Sequence, residues 1–354
     1  MSSPFFSVLM PVYNSQKFLR RAVDSVLHQS FQDFELIIVD DCSTDGSTDI
    51  LQEYQQQDKR VVIAKTKANL GVANARNEGM KLVQGRFLTF VDSDDYIEPD
   101  LFLNVKGKID STGAQLVKYS VVEQYYDAQQ NLIGKKDVCL KDEVLNSVTD
   151  IRNAILPMEK LPLFGYLCNS FYDLKTVTKD LWNFDTNMYV NEDFMMNMRL
   201  IDRIHVMACM SYVGYHYERR INNSLSTRQN DRYYECSKVK VEVLLKKYAE
   251  WNLLTTSNKA DIYWLYIRIV YSTICRWLDH ASHRIVMKKM DQIYRDTIFK
   301  SFCEADDISK SYSGKERVMY FLLRNRHTLS ILLLCRGISF VKKYFQVFFA
   351  KIKE

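Results

Sequence analysis

Proline and glycine are scarce, 5 and 11 among 354 residues, which excludes a collagen-like chain and a linker-rich one. The 8 cysteines form no CxxC pair and show no metal-finger spacing. Zinc modules are thereby excluded, and buried free thiols in a reducing compartment are expected. No uncharged apolar run reaches about 18 residues, so no membrane-spanning helix is expected. The two standard phosphate loops, GxGxxG and GxxxxGK followed by Ser or Thr, are both missing. Charge of one sign is lacking too: 48 Lys and Arg face 43 Asp and Glu. The small excess sits in residues 315–354, at +7, and leaves −2 for everything before them. A nucleic-acid-binding body is excluded on that ground. The opening MSSPFFSVLMPVYN has no basic leader and only a short apolar run, so it reads as a strand rather than a secretory signal.

What is present is a folded composition, 47% hydrophobic and 26% charged, arranged in alternation. Phe5–Val12, Phe34–Val39, Val61–Lys65 and Phe87–Val91 are short, buried-strand runs. Between them, helical spacing covers Phe18 to Leu27, Ser47–Gln57 and Val72–Val83. Alternation of this kind predicts an α/β fold, a mostly parallel sheet flanked by helices. Gln115–Gln124 reads as a further strand and Met188–Ile201 as a helix with Met195, Met198 and Ile201 inward. Beyond about residue 230 the pattern turns helical, through Val239–Tyr248, Ile262–Trp277, Ile285–Phe299 and Val318–Leu323. The expected division is a catalytic domain over residues 1–228 and a helical region over 229–354.

Two strand ends are acidic, Asp40-Asp41 and Asp92-Ser93-Asp94-Asp95, and ligands of such sheets sit beyond the carboxyl ends of strands. Close carboxylates repel unless a cation is present, and hard oxygen donors suit Mg²⁺ or Mn²⁺ shared with a substrate diphosphate. Alone, each cluster also reads as cap and turn acids; two of them facing one cleft favour a site. A carboxylate at Asp40 or Asp41 would accept hydrogen bonds from a nucleobase or ribose. With no phosphate loop, a diphosphate would need the metal and a basic side chain, for which Arg76 is the candidate.

In order along the chain, Ser7–Asn14, Ile37–Ser47, Asn69–Gly79, Val91–Asp95 and Asn191-Glu192-Asp193 resemble the inverting family 2 glycosyltransferases of the GT-A fold, in the bacterial capsule and exopolysaccharide branch. The resemblance implies that Pro11, Tyr13, Asp40 and Asp41 cradle the uracil or ribose of a UDP-sugar, with Arg76 and Ser93 near the nucleotide. It makes Asp92 and Asp94 the DxD motif, Asp94 being the direct metal ligand, and Asp193 the general base. His216, in Tyr215–Arg220, is a further candidate for metal or phosphate contact beside its packing role. Expected partners are a UDP-sugar donor and a polysaccharide or lipid-linked glycan acceptor, with no nucleic acid. The fold, by the same resemblance, is GT-A with a C-terminal helical region. Two departures stand out. Only Asn169 and Tyr172 remain of the family's Trp-Asn-Lys-Leu-Tyr segment, and Thr273–Trp277 lacks the Gln of processive synthases, so a non-processive enzyme is expected. Nucleotidyltransferase and sugar-binding scaffold are the competing classes. The first usually carries an early Gly-rich basic loop, which this chain does not have.

The tail repeats Ile331, Leu334, Ile338, Val341, Phe345, Phe348 and Ile352 at spacings of three and four, with Arg336, Lys342, Lys343, Lys351 and Lys353 off that stripe. Either it docks on the body or it lies as a cationic amphipathic helix on anionic lipid. A cytoplasmic protein is expected, peripheral on the inner face of the plasma membrane if the second reading holds, with homo-oligomerisation open.

Overall fold

All seven residues of β1 (Phe6–Val12) and of β2 (Phe34–Asp40) are buried, as are the four of β4 (Phe87–Phe90). Strands apolar on both faces suit a parallel arrangement covered by helices on each side. In the computed structural model, which describes residues 3–220 and 232–344, β1 pairs in parallel with β2 and β4, and β2 pairs with β3 (Val61–Lys65). Helices α1 (Gln16–Leu27), α2 (Ser47–Gln57) and α3 (Val72–Met80) make the crossovers. The register sets Val12 opposite Asp40, and Val91 N–H donates to Leu9 O at 3.2 Å. Both acidic strand ends therefore finish on the same edge as Tyr13.

The rest of the sheet is built from β5 (Tyr96–Ile97), β6 (Leu116–Tyr126), β7 (Leu132–Val138), β8 (Glu143–Leu145), β9 (Ser170–Asp173) and β10 (Met207–Arg220), with α4 (Leu101–Thr112), α5 (Val148–Lys160) and α6 (Glu192–Leu200) between them. Its main order is β3-β2-β1-β4-β9-β6-β10-β5, with β7 on β6 and β8 on β10. Strands β1 to β4, β6 and β10 share one direction, and β9 runs against its neighbours β4 and β6. The mostly parallel sheet expected from the sequence is thus present, with short antiparallel strands inserted or attached at its margins. The helix expected over Val72–Val83 ends at Met80, and that over Met188–Ile201 begins only at Glu192.

The chain divides into two compact units, Met1–Ser224 and Leu225–Glu354. The second is helical: α7 (Tyr233–Glu250), α8 (Thr256–His280), α9 (His283–Arg295), α10 (Thr297–Glu304), α11 (Gly314–Arg324) and α12 (Thr328–Tyr344). Helix α8 is its centre, and Phe302 packs its ring 5.5 Å from Tyr263 and 5.8 Å from Tyr266. The single helix expected over Ile285–Phe299 is broken at Asp296. That residue is extended, and its carboxylate caps the next helix by accepting from Ile298 N at 2.9 Å while Lys238 pairs with it at 2.7 Å. All eight cysteines are free, four of them buried and Cys139 exposed. No helix among the described residues is long and apolar enough to cross a membrane.

Candidate active site

The geometry starts from how closely α3 lies on the sheet. Gly71 opens the helix at φ 91°, a conformation a side chain resists. At Gly79 a Cβ would come within 2.8 Å of Leu9 Cδ1. Glycine there lets the helix settle on β1 and holds Arg76, one turn earlier, over the carboxyl end of β4.

Arg76 is buried, and its guanidinium gathers acids from two distant segments. Nη1 donates to Asp193 Oδ1 at 2.5 Å and to Glu192 Oε1 at 3.2 Å; Nη2 lies 3.6 Å from Asp92 Oδ1. Phe184 and Phe90 wall it, with centroids 5.5 and 5.8 Å away. Burial works against its charge, but Asp193, Asp92 and Glu192 outweigh that and raise its pKa further. Arg76, expected at the nucleotide, is here the shared counter-ion of three carboxylates. Burial pushes the Asp193 carboxyl upward, Arg76 opposes this, and Glu192 and Asp92 add to it.

Asp193 stands in the first turn of α6, after Asn191 at φ 63°. The helix is fixed by Asn197, whose Oδ1 accepts from Tyr172 Oη at 2.6 Å and whose Nδ2 donates to Phe164 O at 2.9 Å. Asn169 is also buried and donates to Tyr119 O and Leu163 O at 3.1 Å. The two residues kept from the family's segment at 168–172 are therefore parts of the frame behind Asp193.

On the loop after β4, the Asp92 and Asp94 side chains are 33% and 50% exposed. Arg220 Nη1 donates to Asp94 Oδ2 at 3.2 Å, and its guanidinium carbon sits 3.6 Å from the Phe18 ring centroid. Arg220 also pairs with the buried Glu218, which receives Arg21 at 2.6 Å and Tyr126 Oη at 2.9 Å. Asp95 is wholly buried: Tyr215 Oη donates to it at 2.8 Å, as does Glu218 N. The same Tyr215 oxygen accepts from Asp92 N at 3.1 Å, which ties β10 to the loop. Arg21, the Glu218 link and the Asp95–Tyr215 pair carry no sequence signal, because each joins residues tens of positions apart.

At the end of β2 both acids turn inward. Asp40 accepts from Ser43 N at 2.8 Å and Thr48 Oγ1 at 2.9 Å. Asp41 accepts from Thr66 Oγ1 at 2.7 Å, Leu70 N at 3.2 Å and Gly71 N at 2.7 Å. They shape the two loops that edge the cleft, the second leading directly into α3. Pro11 is buried within β1, Tyr13 is exposed, and Ser93 Oγ lies 2.6 Å from Ser15 Oγ. Of the residues expected around the donor nucleotide, Tyr13 and Asp92 are the most exposed, at 39% and 33%.

His216 is held by contacts of its own. Its Nε2 meets Glu98 Oε1 at 2.6 Å, its Nδ1 meets Gln124 Nε2 at 3.2 Å, and its ring stacks on Tyr96 at 4.1 Å. Both ring nitrogens are thus engaged within the protein, and the ring is packed. Among the described residues, no three His, Cys, Asp or Glu side chains cluster as a metal set. The donors present fit a different arrangement: two partly exposed carboxylates, Asp92 and Asp94, which a divalent ion would share with substrate phosphate oxygens.

Residues 7–156 match the sequence model described as glycosyl transferase family 2. An uncharacterized glycosyltransferase of Haemophilus influenzae is 46% identical over 100 residues, 28% of this chain and 40% of that protein. The minor teichoic acid biosynthesis protein GgaB of Bacillus subtilis is 29% identical over 223 residues, 62% of this chain and 23% of that protein. The chain thus spans less than half the length of either relative. Among solved structures, S. aureus TarS 1–349 in complex with UDP-GlcNAc superposes with a TM-score of 0.59 at 18% identity, over 94% of this chain and 90% of that one. A likeness at that identity shows the fold, which is GT-A.

Proposed function

We propose that the chain is a family 2 glycosyltransferase, a reading that the match over residues 7–156 supports, and that it transfers a sugar, with inversion, from a UDP-sugar to a hydroxyl of a surface glycan or its lipid-linked precursor. The observation that carries this is the Arg76 guanidinium, which draws Asp193 and Asp92 to one point from positions 101 residues apart. On this reading Asp92 would serve the leaving diphosphate, and Asp193 would serve the incoming acceptor oxygen.

In the proposed reaction Asp193 takes the acceptor hydroxyl proton as that oxygen bonds to the anomeric carbon. The anomeric bond to UDP breaks on the opposite face, and its electron pair leaves with the diphosphate. A carboxylate whose pKa is pushed upward is a better base near neutral pH than an ordinary one, and Arg76 keeps it aimed. Asp92 and Asp94 would hold Mn²⁺ or Mg²⁺, which supplies positive charge to the leaving phosphate. Arg220, which pairs with Asp94, would offset phosphate charge. The teichoic-acid role in the name of GgaB supports a glycan acceptor. The nucleotide-using step belongs to the cytoplasm on this reading.

The test is UDP release from a panel of UDP-sugars, with and without Mn²⁺, in wild type and in Asp193→Asn. The variant should bind UDP as wild type does in calorimetry and lose transfer by about 10²–10⁴-fold. Unchanged turnover would remove Asp193 from the role of base.

A further inference from the structure

The helix pair α11–α12 carries large apolar side chains on its outside. Val318 and Phe321 are each 55% exposed, Leu329 is 68% exposed and Leu333 71%. Leu329 and Leu333 are one helical turn apart on one face, and Val318 and Phe321 are likewise neighbours on theirs. The Phe321 ring lies 5.5 Å from that of His327, which bridges the two helices. The opposite side of α12 is occupied: Ile331, Leu332 and Cys335 are buried, and Cys275 of α8 donates to Cys335 O at 3.8 Å. The tail stripe read from the sequence therefore begins, at Ile331, on the side that docks. The outward face is a different one. Phe345, Phe348, Lys351, Ile352 and Lys353 lie outside the described residues, as do the side chains of Ile338, Val341, Lys342 and Lys343.

Charge says what that face fits. Residues 315–337 hold five Lys or Arg and one Glu, and Arg317 and Arg336 are exposed at helical spacing from Phe321 and Leu333, whereas Arg326 packs over Tyr294 and Phe299. We propose that this face rests on the surface of an anionic bilayer, with Val318, Phe321, Leu329 and Leu333 entering the headgroup boundary and Arg317 and Arg336 meeting lipid phosphates. Apolar area combined with basic side chains is the composition that binds such a surface. A second copy of the chain fits it poorly, since it would add five more Lys or Arg and only one more Glu to the contact. The inference stands apart from the reaction proposed for the N-terminal unit and uses none of its residues.

The full-length protein would be sedimented with phosphatidylglycerol–phosphatidylcholine vesicles and with phosphatidylcholine alone. Binding is expected to the first only, and to weaken in high salt. Each of Arg317→Glu and Arg336→Glu should weaken it by about fivefold or more. Leu329→Ser with Leu333→Ser should weaken it again, with the thermal melt unchanged because these side chains are exposed. Equal recovery in both supernatants, or a charge-reversed variant that sediments like wild type, overturns the proposal. So does a dimer in light scattering that the leucine variant dissociates.

Discussion

Two strand ends carry paired aspartates, and the fold uses them in opposite ways. At the end of β2, every carboxylate oxygen of Asp40 and Asp41 accepts a hydrogen bond from a neighbouring loop or from the start of α2, Lys65 Nζ lies 3.6 Å from Asp40 Oδ2, and both residues are buried. At the end of β4, Asp92 and Asp94 keep an open side and face Arg76 and Arg220. An acid whose oxygens already accept backbone and hydroxyl donors holds its loop in place, because exchanging those partners would dismantle it. An acid held by a cation, with solvent on its other side, can give up that cation for a metal ion or let it move to a phosphate. The same residue type at equivalent ends of one sheet thus differs in how readily it can exchange its partners.

The largest effect should come from the open pair. Asp94→Asn should lower turnover by more than about 100-fold by removing a metal oxygen. Its unfolding free energy should stay within about 0.5 kcal/mol of wild type, as for other exposed changes. Chelating divalent ions should reproduce the loss in wild type and add little in the variant, measured by UDP release and a thermal melt on the same samples. Asp41→Ala should do the reverse. It strands Leu70 N and Gly71 N and costs about 2–3 kcal/mol, read by urea denaturation, with proteolysis appearing in residues 66–71. If Asp94→Asn melted early while Asp41→Ala only lost activity, the contrast would be inverted. A smaller effect belongs to Gly79→Ala, whose Cβ would press on Leu9 at a cost of about 1–2 kcal/mol. By lifting α3 it should also loosen Arg76 from Asp193. Trimming the opposing side chain with Leu9→Val should recover part of both losses.

How much of this could be read in the sequence follows from range. The strands β1 to β4 and the helices between them announce themselves as buried runs and helical spacing, because each needs only its own residues. The acidic ends were legible for the same reason, since Asp40-Asp41 and Asp92–Asp95 directly follow those runs. What Arg76 touches was not legible: its partners lie 16 positions away in one case and more than 100 in two others. Strand β9 was missed because four residues, Ser170–Asp173, give no period to detect, and its place between β4 and β6 is set by pairing alone. Strand β10 was hidden by its irregular register near Met210–Tyr215, which breaks the alternation a long strand would show. The break at Asp296 did carry a local sign, an aspartate ahead of Thr-Ile-Phe in the manner of a helix cap, outweighed by the apolar spacing running through it.

Buried cations repeat the contrast, and they give the smallest and most specific prediction. Arg76 keeps its charge through carboxylates. Lys118, also buried, has only neutral acceptors: Ser170 Oγ at 2.7 Å, Leu163 O and Tyr166 O at 3.2 Å, and Asn169 Oδ1 at 3.3 Å. Burial therefore pushes its ammonium down to about 8. In the unfolded chain the same group titrates near 10.5. Between those two values the unfolded state binds a proton that the folded state lacks, so stability attributable to Lys118 rises with pH, by at most about 1.4 kcal/mol per unit. Below about pH 8 both states are protonated and the contribution is flat. Buried groups such as Cys168 and Tyr172 are pushed upward instead and slope the other way, but they are common to wild type and Lys118→Met. The difference between the two proteins in urea denaturation should thus be level from pH 6 to 7.5 and then grow in favour of wild type toward pH 10. Curves that stay parallel throughout would mean that the ammonium is not held neutral, and that neutral oxygens can sustain a buried charge here as carboxylates do for Arg76.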